Sequence, residues 1–364
     1  MAVKFTKPEI NVREKLAELD KPSGIAGEAM LRAETPQEQF NLIGAGRRNI
    51  LINGDFQVSQ RGDYTTAASA NVSYFVDRWY TDVASPVSVN RQHITGIDIP
   101  GTPSISKGVR LVATSSGTSY TGIRQKIENP AQFTFRTFTY SGWVRSNTPN
   151  ARLTSYGSGG GNQVIVSEPH SGNGEWEKLS VTFKVVSGLT SAWYVSAFIS
   201  TSGIGSVPQV TGDYIEVTQL QLEHGKVATP FEHRSFGEEL ALCKRYYEKS
   251  FNYDDAPANG SNTTNLSTNA GRNFCEIAIW SKQASRDFEV EKRASPTITR
   301  YGNSQGYWGY LSVGTSAPAS DNTFAFHQNL IIQTDSKRSV CANNQVSGNP
   351  LWGLIGHWTA DAEL

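Results

Sequence analysis

Six histidines, His93, His170, His224, His233, His327 and His357, are the readiest general bases and metal ligands in this chain, and they lie far apart. No HExxH pair or triad-like spacing joins them, so each reads as a surface or sheet-edge residue. Asp213, Glu216 and Glu223 are the best-placed carboxylates for glycoside cleavage, which needs two carboxyls facing one sugar across a groove. An odd separation sends Glu216 and Glu223 to opposite faces of an unbulged strand. The stretch Gly157-Ser158-Gly159-Gly160-Gly161-Asn162 lacks the GK[ST] ending of a phosphate loop, and no GxSxG elbow occurs. Cys243, Cys275 and Cys341 form no CxxC pair, which leaves zinc and redox motifs unsupported. The chain is therefore expected not to be an enzyme and to use neither cofactor nor metal.

Aromatic side chains are the stronger candidates, because flat rings stack on sugars. Trp143, Trp176, Trp193 and Tyr194 fall on predicted strands of one region, and Tyr307, Trp308 and Trp352 on those of another. In alternating strands about half of such residues face a core. Trp193 and Tyr194 are adjacent, so one of them is expected to point outward. Trp193, Tyr194 and Trp308 are the candidates for glycan contact, with core packing as the alternative for each.

Composition limits the partners. Lysine plus arginine equals aspartate plus glutamate at 33 each, whereas nucleic-acid binders usually carry an excess of cations. No nucleic-acid partner is expected. No run of eighteen apolar residues occurs, so neither a membrane span nor a signal peptide is expected. Charged residues make up only 18%, and 33 glycines accompany many Ser, Thr and Asn. Such a mixture suits short strands joined by turns.

The elements that would position these residues fall into successive segments. Residues 1–47 hold concentrated charge without tryptophan or tyrosine. Two short helices are predicted there, one through Ile10, Leu16 and Leu19, the other opened by Thr35-Pro36-Gln37-Glu38. Neither buries enough apolar surface to stand alone, so this arm needs a partner surface. Ile10, Leu16, Leu19, Phe40 and Leu42 are its candidate docking residues.

From residue 48 the texture turns to strands. Ile50-Leu51-Ile52 precedes the turn dipeptide Asn53-Gly54. Alternation marks Phe133 and Phe135 and the run Trp176, Leu179, Val181, Phe183 and Val185, with further strands at 109–113, 139–145, 191–199 and 214–222. Ser235-Phe236-Gly237-Glu238 opens a predicted helix over 235–251, and strands resume after 272. The fold class is mainly β: an antiparallel jelly-roll sandwich at 48–234, a connecting helix at 235–251 and a smaller C-terminal β-sandwich within 252–364. An extended arm with short helices at 1–47 precedes them.

Several stretches resemble bacteriophage virion proteins, particularly those of viruses infecting marine cyanobacteria. The leader from Lys21-Pro22-Ser23-Gly24 to Gln37-Glu38-Gln39-Phe40 looks like a docking tag set ahead of differing distal domains. Arg48-Asn49-Ile50-Leu51-Ile52-Asn53-Gly54-Asp55-Phe56 and Asp77-Arg78-Trp79 are similar to segments of tail-fibre-like proteins. Thr218-Gln219-Leu220-Gln221-Leu222-Glu223-His224-Gly225, followed by Ala228-Thr229-Pro230-Phe231-Glu232, resembles the closing strand of jelly rolls like carbohydrate-binding modules. That likeness implies that the region near residue 50 lies beside the region near 220.

The resemblance implies a virion structural protein assembled in the bacterial cytoplasm, most closely a tail fibre or tail-associated appendage. Residues 1–47 would dock to other virion proteins of tail or capsid, and the sandwich would reach toward host-surface glycan. A homo-oligomer is expected, a trimer being one option. A capsid decoration or head-fibre protein and a glycan-binding adhesin remain as alternatives.

Overall fold

In the computed structural model, the residues described are 47–62, 67–69, 73–84, 87–100, 106–158, 163–186, 192–200, 208–258, 283–301, 309–311, 324–326, 330–333, 337–344, 354–355 and 357–363. The predicted arm helices and the five docking candidates Ile10, Leu16, Leu19, Phe40 and Leu42 lie outside them.

Twelve strands build the first region: β1 (Ala67–Ser69), β2 (Ser73–Val76), β3 (Trp79–Val83), β4 (Ser88–Ile97), β5 (Ser106–Ala113), β6 (Thr121–Lys126), β7 (Thr137–Ser146), β8 (Arg152–Ser158), β9 (Gln163–Val166), β10 (Trp176–Lys184), β11 (Ala192–Ser200) and β12 (Tyr214–His224). They form two six-stranded sheets, ordered β1-β4-β5-β12-β7-β10 and β2-β3-β6-β11-β8-β9. From β5 onward the chain passes mostly from one sheet to the other, which is jelly-roll connectivity, and every pairing is antiparallel. The inner faces share one apolar core, including Phe75, Trp79, Leu111, Ile123, Phe138, Tyr140, Leu153, Trp193, Val195 and Leu222. Alternation is clear in β11, whose Trp193, Val195, Ala197 and Ile199 enter that core, as a half-buried sheet requires.

The sequence pattern fails at Phe133 and Phe135. Residues 130–133 form a 3₁₀ turn opened by Pro130, and Phe135 takes a positive φ of 64° with its ring exposed. Proline lacks the N–H a strand ladder needs, which overrides the two-residue alternation.

Ile50 and its neighbours do lie beside β12. Ile50 N donates to Leu222 O at 2.9 Å and Leu220 N donates to Gly54 O at 2.8 Å. A β-bulge at Gln219–Leu220, with Gln219 at φ 50°, turns the β12 backbone toward this segment. A Cβ on Gly54 would sit 2.1 Å from Leu220 O, so only glycine permits the approach.

Beyond the sandwich, Ser235 caps α1 (Phe236–Lys244) by accepting from Glu238 N at 3.3 Å. The predicted helix over 235–251 is thus shorter. It stops at Lys244, and β13 (Tyr247–Lys249) pairs with the last described strand. Tyr246 and Tyr247 explain the stop: their rings carry the guanidiniums of Arg78 and Arg61 at 3.6 and 3.7 Å, contacts that tertiary packing enforces over helix propensity.

The remaining strands are β14 (Gln283–Asp287), β15 (Thr297–Tyr301), β16 (Gly309–Leu311), β17 (Phe324–Phe326), β18 (Leu330–Gln333), β19 (Ser339–Asn344), β20 (Leu354–Ile355) and β21 (His357–Asp361). They and β13 make three three-stranded antiparallel sheets: β13-β21-β15, β14-β19-β18 and β17-β16-β20.

A buried charged hub ties β21 to the base of the sandwich. Arg78 pairs with Glu363 and donates to Lys126 O at 2.9 Å. Arg61 reaches Asp361 at 3.1 Å, Asp77 at 3.4 Å and Glu363 at 3.5 Å. Gln60 donates to Asp77 and to Tyr247 O. Burial pushes the Asp77 carboxyl up to about 6 from an ordinary 3.8, while Arg61 and Gln60 pull it part of the way back.

That shift has a defined sign. A carboxyl raised in the fold contributes stability that is full below 3.8 and lost as pH rises through about 6. Urea titrations from pH 4 to 7 should show wild type losing stability relative to Asp77→Asn. Parallel profiles would refute the assignment.

Candidate functional site

Trp193 points into the sandwich. It is 1% exposed, its ring lies 5.2 Å from Phe138 and 5.6 Å from Phe133, and its Nε1 donates to Ser155 Oγ at 2.8 Å. A sugar cannot reach it, so the expectation of glycan contact at Trp193 is corrected. The parity of β11 puts it on the core side and sends its neighbour Tyr194 outward. Trp308 lies outside the described residues.

Tyr194 belongs to an organised outer face. Register sets Lys126, Tyr194 and Tyr156 side by side across β6, β11 and β8. The Tyr156 and Tyr194 rings stack, with centroids 6.1 Å apart and planes at 23°, and both side chains are partly exposed. Lys126 Nζ stands 5.9 Å from the Tyr194 ring.

The next row across the sheet runs Tyr80, Arg124, Ser196 and Thr154. Arg124 is ion-paired with Asp82, and its guanidinium lies 4.9 Å from the Phe198 ring, 5.1 Å from Tyr120 and 5.6 Å from Tyr194. Burial raises the pKa of Asp82, and Arg124 opposes that rise. Ser196 Oγ, Thr154 Oγ1 and Arg124 Nε are buried and have no hydrogen-bond partner among the described residues. Ser196 at 0% and Thr154 at 3% exposure lie beneath the rings rather than on the open face.

Sequence reasoning missed Tyr156, Arg124, Asp82, Ser196 and Thr154. Alternation within each strand would have put Arg124 with Lys126, and Thr154 with Tyr156, on one face. The register that brings those strands beside Tyr194 is a long-range property with no local signal.

The carboxylate expectation also changes. The bulge at Gln219–Leu220 shifts the parity of β12, so Glu216 faces Arg145 and Glu223 faces Thr139 on the same side of the sheet. The premise of opposite faces is therefore wrong. Both carboxylates are nonetheless engaged in the fold: Glu216 with Arg110 and Arg145, and Glu223 with Gln221 and Thr229. Cys243 is buried, and its thiol pKa is pushed up, chiefly by that burial, which opposes thiolate chemistry. Among the described residues no group of three or more His, Cys, Asp or Glu is gathered as a metal site, and no helix is long and apolar enough to cross a membrane.

No protein-family model matches the chain, and no curated protein matches it in sequence. Among solved structures it is similar to the enzymatically active domain of tailspike protein 4 of bacteriophage CBA120. That match has 15% identity and a TM-score of 0.31, covering 49% of this chain and 21% of that one. It is also similar to the carbohydrate-binding module TmCBM61 in complex with β-1,4-galactotriose, at 15% identity and a TM-score of 0.30, covering 49% of this chain and 100% of that one. A Stig cyclase from Fischerella gives 12% identity and a TM-score of 0.34, with coverages of 50% and 98%. None of these scores bears on the chemistry of the site.

Proposed function

We propose that the chain is a non-enzymatic structural component of a phage particle, a tail fibre or tail-associated appendage, whose jelly roll offers a saccharide-recognising face to the host surface. The observation that carries the recognition half is the outer face around Tyr194. Two stacked, partly exposed tyrosines stand there beside the ammonium of Lys126. A pyranose complements such a surface, because its C–H face packs on rings while its hydroxyls both donate and accept.

The virion half of the reading is supported by the resemblance of the leader and of residues 48–56 to phage proteins. The first described residues are tied to the segment around α1: Arg47 pairs with Glu238 at 2.8 Å, and Glu232 accepts from the backbone of Arg48 at 3.0 Å. Homo-oligomerisation through the particle belongs to the same reading.

Two measurements test it together. Full-length chain and a variant lacking residues 1–46 are offered to assembling particles, and both are run on an array of bacterial envelope glycans. The truncated chain should keep its glycan binding and fail to incorporate. Tyr194→Ala and Tyr156→Ala should incorporate normally and each weaken glycan binding by roughly five- to tenfold, the worth of about 1 kcal/mol per stacked ring. Normal incorporation of the truncation would sink the docking role, and unchanged binding in both tyrosine variants would sink the recognition face.

A further inference from the structure

The opposite sheet carries a second constellation on its outer face, built from different residues. Register places Glu216 of β12 between Arg110 of β5 and Arg145 of β7, with Trp176 of β10 beside Arg145. Trp143, two positions before Arg145 on β7, sits opposite Lys178 of β10 and Thr218 of β12.

Glu216 is 1% exposed and accepts from both arginines, Arg110 Nη1 at 2.8 Å and the Nε and Nη2 of Arg145. Each guanidinium also lies over a ring, Arg110 at 4.6 Å from the Tyr214 centroid and Arg145 at 5.1 Å from that of Trp176. Their side chains remain 36% exposed. One buried carboxylate thus fixes two guanidiniums in place, and both keep N–H groups with no other hydrogen bond among the described residues. Lys178, exposed beside Trp143, gives its ammonium to Thr229 O at 3.2 Å. Arg110, Arg145 and Lys178 therefore stand against two carboxylates of that face, Glu216 and Glu223, around two partly exposed indoles.

We infer that this face is a binding site for a carboxylated saccharide, a uronate-containing chain. Guanidinium forks match carboxylate geometry, and positions pinned by Glu216 and the rings lose little freedom on binding. Trp143 and Trp176 supply surfaces for pyranose C–H faces. Diagonal neighbours on adjacent strands lie about 7–8 Å apart, a spacing that lets one saccharide chain meet both indoles. The excess positive charge selects acidic over neutral sugars.

The test uses the full chain in affinity electrophoresis and calorimetry with polygalacturonate, alginate, neutral dextran and dextran sulfate. Wild type should be retarded by at least one of the two uronate polymers and not by dextran, with affinity falling as salt rises. Trp143→Ala and Arg110→Gln should each weaken uronate binding at least tenfold, and Phe135→Ala, at an exposed ring outside both faces, should leave it unchanged. Circular dichroism melts confirm folding, and Trp143→Ala, at a partly exposed position, keeps the test decisive if Arg110→Gln unfolds. No retardation by either uronate polymer overturns the inference. So does retention by dextran sulfate alone, or uronate binding that Trp143→Ala leaves intact, either of which signifies polyanion adsorption. Loss of uronate binding in Tyr194→Ala would move the site to the other sheet.

Discussion

Glu363→Gln should lower the unfolding free energy by about 3–5 kcal/mol, the usual result of removing one partner from a buried ion pair. Glu363 is 3% exposed at its side chain and Arg78 is 2% exposed. With the carboxylate gone, Arg78 keeps Lys126 O and the Tyr246 ring but no acid among its described ion pairs. Arg61 loses one of its three acids and retains Asp77 and Asp361. The penalty is therefore an uncompensated buried guanidinium, and the double variant Arg78→Met/Glu363→Gln should recover part of it. Urea denaturation followed by circular dichroism gives all corners of that cycle. If Glu363→Gln costs under about 1 kcal/mol, the pair behaves like a surface salt bridge and the hub is not holding β21 in place.

Trp193→Ala should be similarly severe, costing about 3–5 kcal/mol for a large aromatic removed from a packed core. Its ring touches Phe133, Phe138 and Phe183, so no single neighbour can close the gap. Trp193→Phe separates packing from polarity. It keeps most of the volume but strands Ser155 Oγ, a buried hydroxyl whose unmade bond costs roughly 1–3 kcal/mol. Adding Ser155→Ala should return part of that loss. A Trp193→Ala protein that melts like wild type would contradict its placement in the core. Loss of glycan binding in that variant would report unfolding and say nothing of contact, which makes Tyr194 the informative position of the pair.

Much of the fold was legible because it follows local rules. The strands predicted at 139–145, 191–199 and 214–222 each coincide with an observed strand within a few residues, since alternating apolar positions leave one face to bury. The cap at Ser235 was legible for the same reason: one hydroxyl satisfies one orphan N–H. What was illegible depends on partners far away in sequence. Helix α1 ends early because Tyr246 and Tyr247 are needed under Arg78 and Arg61, which lie far upstream in the chain. The bulge in β12 puts a glutamine at a backbone angle usually left to glycine or asparagine, so no residue announces it. That one insertion reversed the predicted relation of Glu216 to Glu223. Of the candidate site, Tyr194 was visible and its choice over Trp193 was not, because both are aromatic and only the sense of the alternation distinguishes them.

The hub has a topological consequence. The stretch where the sandwich begins and the strand His357–Asp361 are stitched side by side through Arg61, Arg78 and Glu363, so the fold closes into a ring of contacts. Tension applied at either place is shared by both rather than unzipping one region after another. A circular permutant that joins these two points by a short linker, and opens the chain at a distant surface turn, should accordingly retain the architecture.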